Sequence, residues 1–484
     1  MFLPYSKNKP FLLHITKWCL SGAAIAVSIA IISTISARFD YALDDLEKPI
    51  LCLVILMMIS GFIYWLLLVK AKDTRPGRGL LAWVFLLGLV MRLLYFGSTP
   101  IQEDDFYRYL WDGGVAAKGH NPYRYAPKDI MDNRIGDIPD GLIQLGAEVP
   151  TILERINYPW LRTIYPPVSQ AFFALAHMIR PWSMDAWRSV LLVLDIFTLF
   201  LLFLVLRRLK LPLIGLAIYW WNPLFIKEIY NSGHMDLLLF PFLLGSFLLT
   251  IQGRVLGASL ILGLAVGVKF WPAILLPVVL RSVLKEPKRL VTALIVFSLT
   301  SGLTLLPMLL GGLDSRSGFV AYSRYWEMND SFYMLLLWGV QYLTALISIS
   351  FGSPHIMTRA IIVLVLALFI VFLVRRNTNS AEEISRRFLW PIAALYLFSP
   401  TQFPWYSLWM LPFLAIQPQR SLLLLTALLP LYYLRYFLAA RDLVEVHDMG
   451  IVWLEFVPVW CLLIWEWYRR RKDKMVGGKT SEKL

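Results

Sequence analysis

A helix needs about 20 mostly apolar residues to cross a bilayer, and this 484-residue chain repeats runs of that kind from end to end. They lie at 15–36, 50–69, 79–97, 186–206, 211–230, 234–251, 255–280, 290–310, 355–374, 388–400, 404–417, 420–437 and 451–468. The hydrophobic set supplies 58% of the residues, and Asp, Glu, Lys and Arg together only 16%. Soluble domains hold about 45–50% and about 25%, so a soluble enzyme on a single tether is excluded. A transmembrane barrel is excluded too, because its strands alternate around a polar lumen. The expected fold is all-α: a polytopic transmembrane helical bundle of about 12–14 spans. The stretches 166–180 and 333–350 are too short or too polar for full spans and fit partial or interfacial helices. The first run, preceded by Lys7, Lys9 and Lys17, has the look of a signal peptide. Its length and the spans that follow favour a retained helix.

The formal charge is 46 − 32 = +14, which in a soluble chain would suggest nucleic acid. Here the basic residues sit in short clusters between apolar runs, as the positive-inside rule places them, and no nucleic-acid partner is expected. The clusters are Lys70, Lys72, Arg75 and Arg78; Arg207, Arg208 and Lys210; Arg281, Lys285, Lys288 and Arg289; Arg375 and Arg376; Arg386 and Arg387; and Arg469 to Lys474. With these in the cytoplasm, the loops 38–48, 98–165, 231–234, 311–332, 401–404 and 438–450 face the other side. Cys19, Cys52 and Cys461 lie in or beside apolar runs, which argues against disulfides and against zinc. The polar tail after Lys472 reads as disordered.

The loop 98–165 is far longer than the others, and long loops in compact proteins carry function or lack order. Its varied aromatics, prolines and glycines favour a folded, functional segment. It opens with Gln102-Glu103-Asp104-Asp105-Phe106-Tyr107-Arg108-Tyr109-Leu110-Trp111-Asp112-Gly113. Adjacent acids repel, so one of them needs a raised pKa or a cationic partner. That suits a general base or a ligand for a hard cation such as Mg²⁺; a solvated acidic loop is the plain alternative. Tyr107, Arg108, Tyr109 and Trp111 add a stacking surface and a cation able to pair with an anion. Gly119-His120-Asn121-Pro122-Tyr123 is a turn with polar donors, and Tyr165-Pro166-Pro167 suits a helix entry.

Further polar strings share that face. Gly233-His234-Met235-Asp236 opens a span, where ionisable residues point to function or to capping by Asp236. Lys269 interrupts an apolar run just before Pro272 and is read as an anion site facing a cavity. Trp326-Glu327-Met328-Asn329-Asp330-Ser331 and Ser399-Pro400-Thr401-Gln402-Phe403-Pro404-Trp405-Tyr406 complete the set; the second fits an aromatic belt equally well. Arg92, late in its span, calls for an acid or a headgroup.

Carboxylates, a Lys, a His, aromatics and an apolar wall on one face together match a lipid phosphate bearing a sugar. Transfer from such a donor needs a base for the acceptor and charge stabilisation for the departing phosphate. No cofactor is required, and a divalent cation is optional.

The strings Asp104-Asp105-x-Tyr107-Arg108-Tyr109-Leu110-Trp111-Asp112-Gly113, Gly119-x-Asn121-Pro122-Tyr123 and Tyr165-Pro166-Pro167-x-x-Gln170 resemble bacterial GT-C glycosyltransferases of the polyprenyl-phosphate-mannose-dependent branch. Gly233-His234-x-Asp236, Lys269-x-x-Pro272 and Pro404-Trp405-Tyr406 continue the resemblance, which runs in order from about Leu80 to Leu414. It implies inverting transfer of a hexose, mannose by resemblance, from a polyprenyl-phosphate sugar. The implied site lies on the non-cytoplasmic side of the cell membrane, and the acceptor is an unidentified glycan, lipid or protein. Asp105 or Asp104 would be the base, with Glu103 leaving that choice open. Lys269, Arg108 and His234 would bind phosphate, and Trp405, Tyr406 and Gln402 would line the pocket. Tyr109, Asn121, Tyr123, Tyr165 and Asp236 complete the expected substrate-binding set. On this reading 1–78 holds two additional helices, 79–417 the catalytic core, 418–470 C-terminal helices and 471–484 a cytoplasmic tail. A flippase or transporter of lipid-linked sugars is the leading alternative, though its sites would lie near the midplane. A polymerase or ligase using lipid-diphosphate donors would carry more basic residues in the large loop.

Overall fold

The computed structural model describes residues 9–69, 76–132, 136–347, 352–375 and 380–481. Lys70, Lys72, Arg75 and Arg376 of the expected basic clusters lie outside them, as does Lys7 before the first run. The described residues are helical with no named strand; their only bridges are isolated, Arg162 with Ser317 and Met328 with Thr401. The protein is an all-α polytopic membrane protein.

Seven helices are long and apolar enough to cross a bilayer: Ile15–Phe39, Ile50–Val69, Met184–Arg208, Pro287–Leu310, Pro354–Arg375, Arg420–Ala439 and Val444–Asp473. A pair bent by 103°, Pro223–Asn231 and Met235–Ile251, makes an eighth. That is fewer than the expected 12–14 spans: the run 255–280 is broken into Val255–Val266 and Trp271–Val283, while Pro167–Ile179 and Ser331–Ile347 are short, as expected of partial helices. Proline is the local cause. Pro272, Pro404 and Pro430 each sit inside a 3₁₀ turn, since a ring nitrogen cannot donate the helical hydrogen bond. The tail departs from expectation in the opposite sense. The last helix continues to Ser481 rather than ending near Lys472: no proline follows Pro458, and extending an established helix costs little.

The N- and C-terminal helices pack together. A Cβ on Gly61 would meet the Ala427 Cα at 2.9 Å, and the Trp65 indole donates to the Arg420 carbonyl at 2.9 Å. At this end Val69, Leu211, Arg420, Arg469 and Arg470 line one cavity of about 480 Å³ together with Glu466 and Asp473. The interior is fastened by Arg92, whose Nε meets Asp195 at 2.6 Å with both side chains fully buried. Its guanidinium also donates to the Gly88 and Trp220 carbonyls and lies 3.4 Å from the Trp220 ring centroid. The expected acid partner of Arg92 is therefore Asp195, and Tyr219 and Tyr230 donate to the same carboxylate.

The long loop is folded. Helices Asp105–Ala117, Pro127–Asp132, Asp140–Glu148 and Pro150–Glu154 enclose an apolar core of Trp111, Ile130, Leu142, Leu145, Leu153 and Ile156. Helix Asp105–Ala117 docks on Pro167–Ile179, and Gly113 permits the contact: a Cβ there would stand 2.5 Å from the Phe173 carbonyl oxygen. This contact fixes where the acids at the front of the helix point.

Candidate active site

Asp105 is the first residue of helix Asp105–Ala117 and Asp104 its N-cap, where the helix dipole favours negative charge. The Tyr165 and Tyr109 hydroxyls, Lys269 and Asp236 lie close enough to the Asp105 carboxylate to influence its charge. Burial raises the Asp105 pKa, opposed by the Tyr165 hydroxyl and then the Lys269 charge. Its side chain still keeps 36% of its surface accessible, so another molecule can reach it. Burial and the charge of Asp105 push Asp104 up to about 7, and the Asn157 amide donates to it. Glu103 is more enclosed, and burial raises its pKa well above the carboxylate range.

Lys269 reaches this cleft because its span is broken. Helix Val255–Val266 stops and a 3₁₀ turn, Trp271–Leu275, resumes. Helix Pro167–Ile179 satisfies the carbonyls freed between them: Val168 N–H donates to Gly267 at 2.9 Å and the Ser169 hydroxyl to Val268 at 3.0 Å. Lys269 Nζ donates to Asp236 Oδ1 at 2.6 Å, which also accepts from the Trp409 indole at 2.5 Å. The ammonium lies 4.2 Å from the Tyr406 ring centroid and 5.0 Å from that of Trp409. Tyr406 stacks on Trp409 at 4.6 Å, so a desolvated cation faces aromatic rings and one carboxylate.

The second break supplies His234. Gly233, at φ +76°, turns the chain between the two arms of the bent pair. The His234 imidazole stacks on Trp405 with centroids 3.8 Å apart. Its Nδ1 stands 3.9 Å from Asp105 Oδ2, and its Nε2 stands 3.8 Å from Glu103 Oε2 and 3.6 Å from Glu228 Oε2. Both ring nitrogens lack a hydrogen-bond partner, as do Glu103 Oε1 and Glu228 Oε2. Lys227 lies 3.5 Å from Glu228 Oε1, which also accepts from the Tyr433 hydroxyl at 2.6 Å.

The structure thus brings Asp105, Asp104, Tyr109, Tyr165, His234, Asp236, Lys269, Trp405 and Tyr406 together. Four expected residues are used elsewhere. Arg108 is buried and spends its guanidinium on Asp112 at 3.1 Å and the Leu161 carbonyl at 2.9 Å. Gln402, fully buried, bonds the Leu397 and Ser399 carbonyls and the Ser331 hydroxyl. Asn121 donates to the Pro307 carbonyl at 3.1 Å and accepts from Tyr123 N–H at 2.9 Å. Tyr123 donates to the Tyr165 carbonyl at 2.6 Å. Each of these holds a loop in place, because a buried carbonyl must find a donor. His234 stands among three acids, surroundings that oppose a phosphate. Sequence reasoning missed Lys227 and Glu228. An ionisable pair inside the apolar run 211–230 is costly in a bilayer, and that cost is the signal that would have found them. Among the described residues no group of three or more His, Cys, Asp or Glu is arranged to hold a metal ion.

No curated protein and no solved structure matches the chain. A family model described as alpha-(1->6)-mannopyranosyltransferase, N-terminal domain, matches residues 18–285. The match covers more than half of the chain and includes the loop, both helix breaks, Lys269 and most of the first helix. The chain therefore belongs to the alpha-(1->6)-mannopyranosyltransferase family and is a membrane-bound glycosyltransferase acting on mannose.

Proposed function

We propose that the protein transfers mannose from a polyprenyl-phosphate donor to an acceptor hydroxyl in this cleft, on the non-cytoplasmic side of the cell membrane. The reading is supported by the Lys269–Asp236 ion pair, 2.6 Å long, lying within electrostatic reach of the Asp105 carboxylate. Asp105 takes the acceptor proton, and the acceptor oxygen attacks the anomeric carbon as the carbon–oxygen bond to phosphate breaks. Lys269 neutralises the charge that develops on the departing lipid phosphate. Asp236 and Trp409 hold that ammonium in position, and Tyr165 and Tyr109 orient the base. A single in-line displacement inverts the anomeric centre, so an α-linked product requires a β-configured donor. The scheme asks for no cofactor; a divalent cation would assist Lys269 at the phosphate.

The test is transfer of radiolabelled mannose from a polyprenyl-phosphate donor by the purified enzyme. Asp105→Asn is expected to lower kcat by about 10²- to 10⁴-fold, the usual worth of a positioned base, while expression and membrane insertion persist. Lys269→Met is expected to weaken donor binding. Turnover at the wild-type rate in Asp105→Asn would remove Asp105 as base, and unchanged donor affinity in Lys269→Met would leave Lys269 a structural partner of Asp236.

A further inference from the structure

The proposed reaction leaves an aromatic series unused. It starts at Tyr406, beside Lys269, whose hydroxyl accepts from the Tyr322 hydroxyl at 3.2 Å. Tyr322 is within electrostatic reach of Asp105 and Asp236, so this end of the series belongs to the cleft. From there the rings climb outward. Tyr322 and Trp326 have centroids 5.6 Å apart, Trp326 and Tyr158 4.7 Å, and Tyr158 and Trp160 5.6 Å. The last two are 47% and 52% exposed. Large rings left in the open at the end of a chain that begins beside the base call for an occupant.

Two independent observations tie this series to the site rather than to a lipid boundary. Tyr158 has φ +50°. A bulky residue rarely adopts that conformation, and such strain persists only where the surroundings enforce it. Its neighbour Asn157 donates an amide hydrogen bond to Asp104, adjoining Asp105. The segment that displays Tyr158 and Trp160 is therefore anchored at the acids. Aromatic belts arise differently, from rings at the ends of spans pointing into the lipid interface. Tyr158 and Trp160 instead lie in the folded loop, and Tyr158 packs across to Trp326 beyond the end of helix Gly318–Tyr325.

We propose that Tyr322, Trp326, Tyr158 and Trp160 form an acceptor subsite that stacks sugar rings of a glycan already several residues long. The flat, electron-rich face of an aromatic ring complements the C–H face of a pyranose. A series of such faces leading away from the base holds the body of a chain while its end reaches Asp105. This rests on the proposed transfer reaction and narrows its acceptor from glycan, lipid or protein to an extended glycan.

The experiment uses the full-length enzyme in detergent with α-(1→6)-linked manno-oligosaccharides of graded length as probes. Binding is read by saturation-transfer NMR without donor, and KM by transfer from polyprenyl-phosphate mannose. Affinity is expected to rise about tenfold from the disaccharide to the pentasaccharide. Trp160→Ala and Tyr158→Ala should collapse that ratio towards one, whereas Trp160→Phe, which keeps a ring, should retain most of it. Trp338→Ala, an exposed ring packed on Trp453 away from the series, should leave the ratio intact. Wild-type affinity independent of length overturns the subsite. So does a ratio that Trp160→Ala leaves as high as Trp338→Ala does. Length-dependent binding that Trp160→Ala abolishes, without any transfer from the donor, upholds the subsite and overturns the proposed donor instead.

Discussion

Asp104 and Asp105 are neighbours with different surroundings. Asp105 faces the cleft, with two tyrosine hydroxyls and Lys269 around it; Asp104 faces Asn157 and the charge of Asp105. Burial raises both above the ordinary aspartate value, Asp104 to about 7, and because they interact they titrate as a pair. A base works deprotonated, so raised values move the acidic limb of the rate profile up in pH. The kcat/KM of the wild type should therefore climb through an apparent pKa well above that of a free aspartate. Asp104→Asn removes a negative neighbour, which lowers the Asp105 pKa and shifts that limb to lower pH while turnover at neutral pH persists. A profile unmoved by Asp104→Asn would mean the two carboxylates do not interact. Loss of turnover at every pH would transfer the role of base to Asp104.

Helix breaks, more than helices, build the site. The two that matter are the stop between Val266 and Trp271, which presents Lys269, and the bend at Gly233, which presents His234 and Asp236. Sequence patterning reaches the first, because Pro272 announces it. It reaches the second only in part: the polar stretch 231–234 marks a break between two apolar runs, but not the 103° angle between them. The same boundary explains the residues whose side chains are engaged elsewhere. Gln402 and Asn121 carry the polar groups a sugar site would use, but free carbonyls at neighbouring turns claim them, and nothing in the sequence announces those carbonyls. Asp105, Lys269 and Trp405 stand out in the sequence because charge or ring beside an apolar run has few cheap explanations, and the structure places them in one neighbourhood. Gly233 tests the importance of the bend. A Cβ there would stand 2.3 Å from Met184 Cε, and φ is +76°, a conformation that costs an L-residue about 1–2 kcal/mol. Gly233→Ala is expected to lower kcat by tenfold or more while the protein remains folded and inserted, as judged by detergent-phase gel filtration. Unaltered turnover would show that the site tolerates reorientation of His234.

At the scale of the whole molecule, charge and topology have to agree on which way the protein faces. Arg420, Arg469 and Arg470 line one cavity with Val69 and Leu211, and helix Met184–Arg208 runs from Asp185, hydrogen-bonded to Gly97 N–H at the start of the long loop, to the basic pair Arg207–Arg208. The loop and the basic cluster therefore lie at opposite ends of a 25-residue span. A helix rises about 1.5 Å per residue, so this one exceeds the hydrocarbon thickness of about 30 Å. The positive-inside rule therefore predicts that the end carrying the loop faces away from the cytoplasm, the side on which the proposed donor would be met. The three free cysteines make the arrangement measurable. In a background with Cys19, Cys52 and Cys461 replaced by serine, single cysteines go in at Lys118, exposed in the loop, and at Lys285, exposed beside the basic cluster. An impermeant maleimide added to intact cells is expected to label Lys118→Cys directly, and Lys285→Cys only after the membrane is opened. The reverse pattern would turn the active site towards the cytoplasm and require a donor in the inner leaflet. Labelling of both in intact cells would break the link between helix direction and charge on which the orientation depends.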